Sequence, residues 1–167
     1  MTRIILFSDS HGDLRVLQKI VKKHLREAAA FLFLGDGERE FDFIKSEYPN
    51  KRFFAVRGNN DIMSKKDDFM TVDIAGIKIF MTHGHRYPYR LGEDFLRTSA
   101  GNYGAKVAAC GHTHFPGVSY EAGIYVINPG SVSLPRAGSP RSYGILDISG
   151  AGIVPFIAKA EVWPDDG

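Results

Sequence analysis

Five short apolar runs, each followed at once by a polar, metal-competent group, constrain this chain more than any other feature of its sequence. Arg3 to Phe7, Ala29 to Leu34, Arg52 to Val56, Ile77 to Met81 and Lys106 to Cys110 read as buried strands. Directly after them stand Asp9-Ser10-His11, Gly35-Asp36, Gly58-Asn59-Asn60-Asp61, His83-Gly84-His85 and Gly111-His112-Thr113-His114. In α/β sheets ligands bind outside the carboxyl ends of the strands, so residues placed there converge even when far apart in sequence. The five groups therefore predict a single site.

The segments between the runs predict the architecture. Asp13 reads as the cap of a helix in which Leu14, Leu17, Ile20, Val21, Leu25 and Ala28 recur at helical spacing. A second helix, from about Glu38 to Tyr48 with Phe41 and Ile44 on one face, is stopped by Pro49. A β-α-β-α-β order implies parallel strands joined by right-handed crossovers. Further on, Phe69 to Ile74 and Ile77 to Met81 flank Ala75-Gly76 as a hairpin, and a helix from about Leu91 to Asn102 precedes Lys106 to Cys110. Val118 to Tyr120, Ile124 to Ile127, Tyr143 to Ile148 and Ile153 to Val162 complete the strands, Lys65 to Asp68 reads as a solvated loop, and Pro164 to Gly167 as a frayed end. The expectation is an α/β fold of two packed sheets with helices outside, forming one domain over residues 1–167.

Composition narrows the function classes. With 44% hydrophobic and 24% charged residues the chain has the usage of a soluble globular protein. A net charge of +2, spread along the sequence, predicts no dedicated nucleic-acid surface. The single cysteine, Cys110, leaves no internal disulfide and fits a reducing compartment. No leader-like or membrane-spanning run is evident, so the expected address is the cytoplasm, with no membrane partner.

The residue types suit a pair of metal ions. Asp9/His11 and His112/His114 can each straddle one turn and face a common cavity, and a lone carboxylate such as Asp36 can bridge two ions about 3.5–4 Å apart. Nitrogen and oxygen ligands without thiolates favour Mn, Ni, Zn, Fe or Co over Ca and Mg. Such a pair would carry a net charge of roughly +1 and attract phosphate. A structural metal site is disfavoured, because such sites are usually closed and cysteine-rich. Blander readings apply elsewhere: His24 as a buried structural histidine, Cys110 as a core residue, Gly58 and Gly111 as tight-turn residues, and Asn128-Pro129-Gly130-Ser131 as a turn, with lining of the site as its alternative.

At these residues the sequence resembles the calcineurin-like metallophosphoesterase superfamily, whose ordered pattern is D-x-H, G-D, G-N-x-[D/E], H and G-H-x-H. It is most similar to the small, YfcE-like phosphodiesterase branch, over nearly the whole chain, and Asn128 to Ser131 also match that branch. The resemblance implies a four-layer α/β/β/α sandwich of two mixed sheets. It implies two divalent transition-metal ions, manganese foremost, with Asp9, His11, Asp36 and His114 on one and Asp36, Asn59, His83 and His112 on the other. The implied reaction is in-line attack on a small phosphodiester by a hydroxide held between the ions, with a phosphomonoesterase as the enzymatic alternative. Asp61 and His85 become residues that orient ligands or contact substrate. Many members place a histidine after the motif asparagine to protonate the leaving group; here Asn60 stands in its place, and His85 or water is expected to substitute. Some relatives are protein-binding scaffolds, as in the retromer complex, with an incomplete metal site. All seven ligand positions here carry competent residues. The exposed aromatics Phe115, Tyr87 and Tyr89 can stack on a substrate or form a homo-oligomer interface.

Overall fold

The computed structural model describes residues 1–87, 92–136 and 138–161. Among them the elements run β1 (Thr2–Phe7), α1 (Leu14–His24), β2 (Ala28–Phe33), α2 (Glu38–Glu47), β3 (Phe53–Ala55), β4 (Phe69–Ile74), β5 (Ile77–Thr82), α3 (Gly92–Asn102), β6 (Val107–Ala109), β7 (Gly117–Glu121), β8 (Ile124–Asn128), β9 (Ser142–Ser149) and β10 (Gly152–Lys159). One sheet has the order β10-β9-β1-β2-β3 and the other β4-β5-β6-β8-β7. Both are mixed. In the first, β1, β2 and β3 are parallel, β9 runs antiparallel to β1, and β10 runs antiparallel to β9. In the second, β5, β6 and β8 are parallel, with β4 and β7 as antiparallel edges.

Strand alternation builds the layers. On β1, Ile5 and Phe7 pack against α1 and α2 together with Leu17, Ile20, Phe41 and Ile44. Ile4 and Leu6 point the other way, into a core between the sheets shared with Ile79, Met81, Val107 and Leu146. The second sheet turns Phe80, Ala108 and Val126 outward onto Leu96 and Ala100 of α3. Two-sided burial explains why β1, β2 and β5 read as continuous apolar runs. The result is the four-layer α/β/β/α sandwich, with helices on both outer faces.

Element boundaries differ in instructive places. Ala28, expected on the first helix, opens β2 and pairs with Arg3, because α1 closes at His24 and Leu25. The strand expected over Arg52 to Val56 shortens to three residues. Leu91, Tyr89, Val162 and the terminal Pro164 to Gly167 lie outside the described residues. Asp13 caps α1 as expected, its carboxylate accepting from the Val16 N–H at 3.2 Å. No described helix is long and apolar enough to cross a membrane.

Candidate metal centre

The carboxyl ends of β1, β2, β3, β5 and β6 lie at one end of the sandwich, where backbone bonds tie the loops together within each sheet and the Asp9 carboxylate joins one sheet to the other. Asp9 N–H donates to Gly35 O at 3.0 Å, His11 N–H to Asp36 O at 3.1 Å, and Gly111 N–H to His83 O at 3.0 Å. The His112 N–H donates to Asp9 Oδ2 at 3.1 Å. Asp9, His11, Asp36, His112 and His114 all take positive φ, between 41° and 68°. Outside glycine this conformation is uncommon and costs about 1–3 kcal/mol per residue where the surroundings impose it. The only other described non-glycine residues with positive φ are Ala75 and Ala122, both in hairpin turns. Strain is therefore concentrated on the residues that face the site.

Two tight groups of ligand atoms result: Asp9, His11 and His114, and Asp9, Asp36 and His83, each with its atoms within 4.8 Å of one another. Asp9 Oδ1 lies 3.2 Å from His114 Nε2, 3.7 Å from His11 Nε2 and 3.9 Å from His83 Nε2. Asp36 Oδ2 stands 3.4 Å from His83 Nε2 and 3.9 Å from His11 Nε2, so this carboxylate also faces both groups. Asn59 joins through its Oδ1, 3.0 Å from His83 Nε2. The ring of His112 is 5.1 Å from that of His83, on the exposed rim and outside the two tight groups.

The tautomers decide what these contacts mean. His83 Nδ1 is 2.6 Å from the Leu34 carbonyl, and His114 Nδ1 is 2.6 Å from the Leu134 carbonyl. A carbonyl only accepts, so Nδ1 carries the proton in both rings and a neutral ring presents a bare lone pair at Nε2. Those lone pairs point at Asn59 Oδ1, at His11 Nε2 3.3 Å away, and at the Asp9 and Asp36 carboxylates. Acceptors thus face acceptors, and Asp9 Oδ1 is a buried oxygen with no hydrogen-bond donor. An arrangement of this kind is satisfied by a cation, which is the test a metal site must pass.

Without an ion, the two carboxylates favour protons on the His83 and His114 rings, in the places that a bound cation would take. Burial works to raise the Asp9 carboxyl, but His11 and His114 beside it outweigh that effect and hold it below the usual range. Burial likewise opposes the ionised form of Asp36, and His83 and Asn60 hold it low. The Asp9 carboxylate draws His114 upward, and Asp36 with Asp9 raises His83 against its burial. On the rim, burial and then the neighbouring His83 push His85 and His112 down. The site is a fixed negative pair ringed by imidazoles.

Several residues that hold this arrangement escape sequence reasoning. Asn60 donates both its backbone N–H, at 2.8 Å, and its side-chain amide, at 2.6 Å, to the two oxygens of Asp36. Ser131 and Ser133, both buried, donate their hydroxyls to the Asp9 carbonyl at 2.8 and 2.9 Å, fixing its left-handed backbone. Asn128 donates to Gly111 O and Thr113 Oγ1, each at 3.0 Å, and so clamps the loop that carries His112 and His114. The segment Asn128 to Ser131, read as a turn with lining of the site as the alternative, is a brace behind the site.

Asp61 also departs from one of its expected alternatives. Its Oδ1 accepts from the N–H groups of Gly37 and Glu38, and its Oδ2 from those of Asp36 and Gly58, all at 2.8–3.0 Å. Both oxygens are turned to the backbone rather than to substrate. Gly58 and Gly111 correct a second reading, for neither has positive φ and neither is required by turn geometry. A Cβ on Gly58 would sit 2.0 Å from Asp36 Oδ1, and one on Gly111 2.1 Å from Ser8 Oγ. Close approach of the loops, not chain reversal, demands these glycines.

A family model described as the calcineurin-like phosphoesterase superfamily domain matches residues 2–151. The chain belongs to that superfamily. It is 33% identical over 146 residues to the probable metallophosphoesterase YsnB of Bacillus subtilis (strain 168), covering 87% of this chain and 83% of the relative. With the phosphodiesterase YfcE of Escherichia coli (strain K12) it shares 30% identity, over 88% of each protein. A crystal structure of a conserved predicted phosphoesterase from Streptococcus pneumoniae TIGR4 superposes with a TM-score of 0.82 at 25% identity, covering 98% of this chain and 94% of that one. Metallophosphoesterases work with divalent ions, and the donor set above fits them.

Proposed function

We propose that the protein is a phosphodiesterase that uses two divalent ions to hydrolyse a small phosphodiester. The convergence of Asp9, Asp36, His83 and His114 acceptors with no donor among them carries this reading, and membership of the superfamily supports the reaction class. The likeness to a protein named as a phosphodiesterase favours diesters over monoesters. We assign Asp9, His11, Asp36 and His114 to one ion and Asp36, Asn59, His83 and His112 to the other, with Asp36 shared. Mixed nitrogen and oxygen donors favour manganese, then Ni, Zn, Fe or Co. A lone buried Cys110 fits a reducing cytoplasm.

When bound, such ions neutralise charge on the phosphoryl oxygens and lower the pKa of water toward neutrality. The chain's own residues prepare the place. The Leu34 and Leu134 carbonyls fix two imidazoles with Nε2 inward, Asn60 holds both oxygens of Asp36, and Ser131 and Ser133 hold Asp9. Asn60 has no titratable proton, so it cannot protonate a departing alkoxide, and its amide is turned to Asp36 Oδ2. His85 is the neighbouring group with capacity to spare: its Nδ1 has no partner, and its ring lies 5.5 Å from that of His83. We assign it to hydrogen-bond the departing oxygen. A scaffold role is the weaker reading, because binding a protein surface gives no reason to hold five ligand-type residues in strained backbone.

The test is hydrolysis of an aryl phosphodiester and the matching monoester by metal-stripped protein, with Mn, Ni, Zn or Mg restored one at a time. Diester turnover should return with manganese and be absent in Asp36→Asn. Turnover of the monoester alone would make the protein a phosphomonoesterase, and no turnover with any ion would remove the enzymatic reading.

A further inference from the structure

Two clefts flank the metal centre. One, about 440 Å³, is entered past His11 and Asp36 and is walled by acidic residues including Glu38, Glu40 and Asp42. The other, about 450 Å³, is entered past His112 and has a different character. Its body is apolar, formed by Leu96, Val126, Phe115 and Tyr87. Both volumes fall in the range of ~300–1,000 Å³ that holds small molecules.

The polar groups of the second cleft are few, and their bonding shows what they can still offer. The Asn128 amide hydrogens go to Gly111, Thr113 and Cys110, and its oxygen accepts from the Gly130 N–H. Thr113 Oγ1 accepts from that amide at 3.0 Å and from the Phe115 N–H at 3.3 Å, which leaves its own proton to donate. Glu93 is held on the wall by Arg97 at 2.8 Å and by the Ser119 hydroxyl. Arg97, only 8% exposed, supplies no cation to the cleft, since it is shared by Glu93, Asp94 at 3.6 Å and Glu121 at 3.6 Å. Three carboxylates against one guanidinium leave the surface around Glu93 negative.

We propose that the cleft beside His112 is the subsite for one alcohol arm of the diester, and that it selects an uncharged arm with an aromatic or apolar body. Phe115, 42% exposed, offers a face on which a ring can stack. Thr113 donates to an acceptor on the arm. Glu93 rejects arms that carry a carboxylate or a further phosphate. A centre reached from two clefts has a place for both arms of a diester, whereas a monoester would fill only one. The assignment rests on the phosphodiesterase reading and specifies it.

The experiment uses metal-loaded protein and methyl phosphodiesters whose second alcohol is 2-naphthylmethyl, methyl or 2-carboxyethyl, with the released alcohol measured by chromatography, together with methyl 2-(2-naphthyl)ethyl phosphinate, which has no ester bond, as an unreactive ligand. The wild type should show at least a tenfold higher kcat/KM for the naphthylmethyl than for the carboxyethyl ester. Phe115→Ala should raise KM for the naphthylmethyl ester severalfold, with kcat and the methyl ester little changed. Glu93→Gln should narrow the penalty on the carboxyethyl ester. Equal KM values for all three esters in all three proteins would overturn the subsite while leaving the phosphodiesterase intact. If no ester is hydrolysed, calorimetric binding of the phosphinate decides: weakening in Phe115→Ala upholds the cleft, and unchanged or absent binding refutes it.

Discussion

Replacing Asp61 with alanine removes the acceptor of four hydrogen bonds in one step, and the cost follows from where the donors lie. The N–H groups of Asp36 and Gly58 sit on buried residues that water cannot reach, and each gives a bond of 2.8 Å to the carboxylate. Hydrogen bonds to charged groups contribute about 1.5–3 kcal/mol each, so this pair stands for about 3–6 kcal/mol. The N–H groups of Gly37 and Glu38 open α2 and are half-buried, so water can replace part of that bonding. Gly37 offers no side-chain cap of its own, which makes Asp61 the cap of this helix, a loss of about 1 kcal/mol. Asp61→Ala should therefore lose about 4 kcal/mol or more, a large share of the ~5–15 kcal/mol that stabilises a domain. Asp61→Asn keeps the shape but turns one acceptor into a donor, and should lose roughly half as much. Urea unfolding of the metal-free proteins measures both. A loss below about 1 kcal/mol in the alanine variant, with catalysis abolished, would return Asp61 to the chemistry and refute its role as a brace.

Two further outcomes follow from the same contacts. His24 is 3% exposed, between Tyr143 at 2.9 Å and Glu27 at 2.6 Å, and burial pushes its pKa below the ordinary 6.5 despite the pull of Glu27. The unfolded chain then binds the proton more tightly, so this contribution is complete above about pH 6.5 and is lost as pH falls below it. At fixed metal concentration, His24→Gln should flatten the fall in unfolding free energy between neutral and mildly acidic pH, and a wild-type slope in the variant would contradict the assignment. Ala75 and Ala122 occupy exposed hairpin turns at φ 52° and 50°. Asparagine tolerates that conformation better, so Ala75→Asn and Ala122→Asn should each add about 0.5–1 kcal/mol, and destabilisation on thermal melting would show the turns to be misassigned.

The fold and the candidate ligands were legible in the sequence for a single physical reason. Strands buried on both faces announce themselves as apolar runs, and whatever follows each run must lie at the same end of the sandwich. Asp9, Asp36, His83 and His114 could be named from that rule alone. The residues that aim them could not, because their contacts span the chain: Ser131 reaches Asp9 across 122 positions, and Leu134 reaches His114 across 20. Asn60 read as a gap in the family pattern, and only coordinates reveal both of its donors on Asp36. Gly58 and Gly111 carried the right residue for a different reason, since what they accommodate is a neighbouring loop.

The nest of acceptors around Asp9 and Asp36 has a pair of ions as its proposed occupant. Metal-stripped protein equilibrated with manganese and then dialysed, with bound metal counted by elemental analysis, tests this most directly. We expect two equivalents in the wild type and fewer in Asp9→Asn, Asp36→Asn and His83→Ala. Protein that retains no manganese, nickel, zinc, iron or cobalt, or that binds equally well in all three variants, would contradict it.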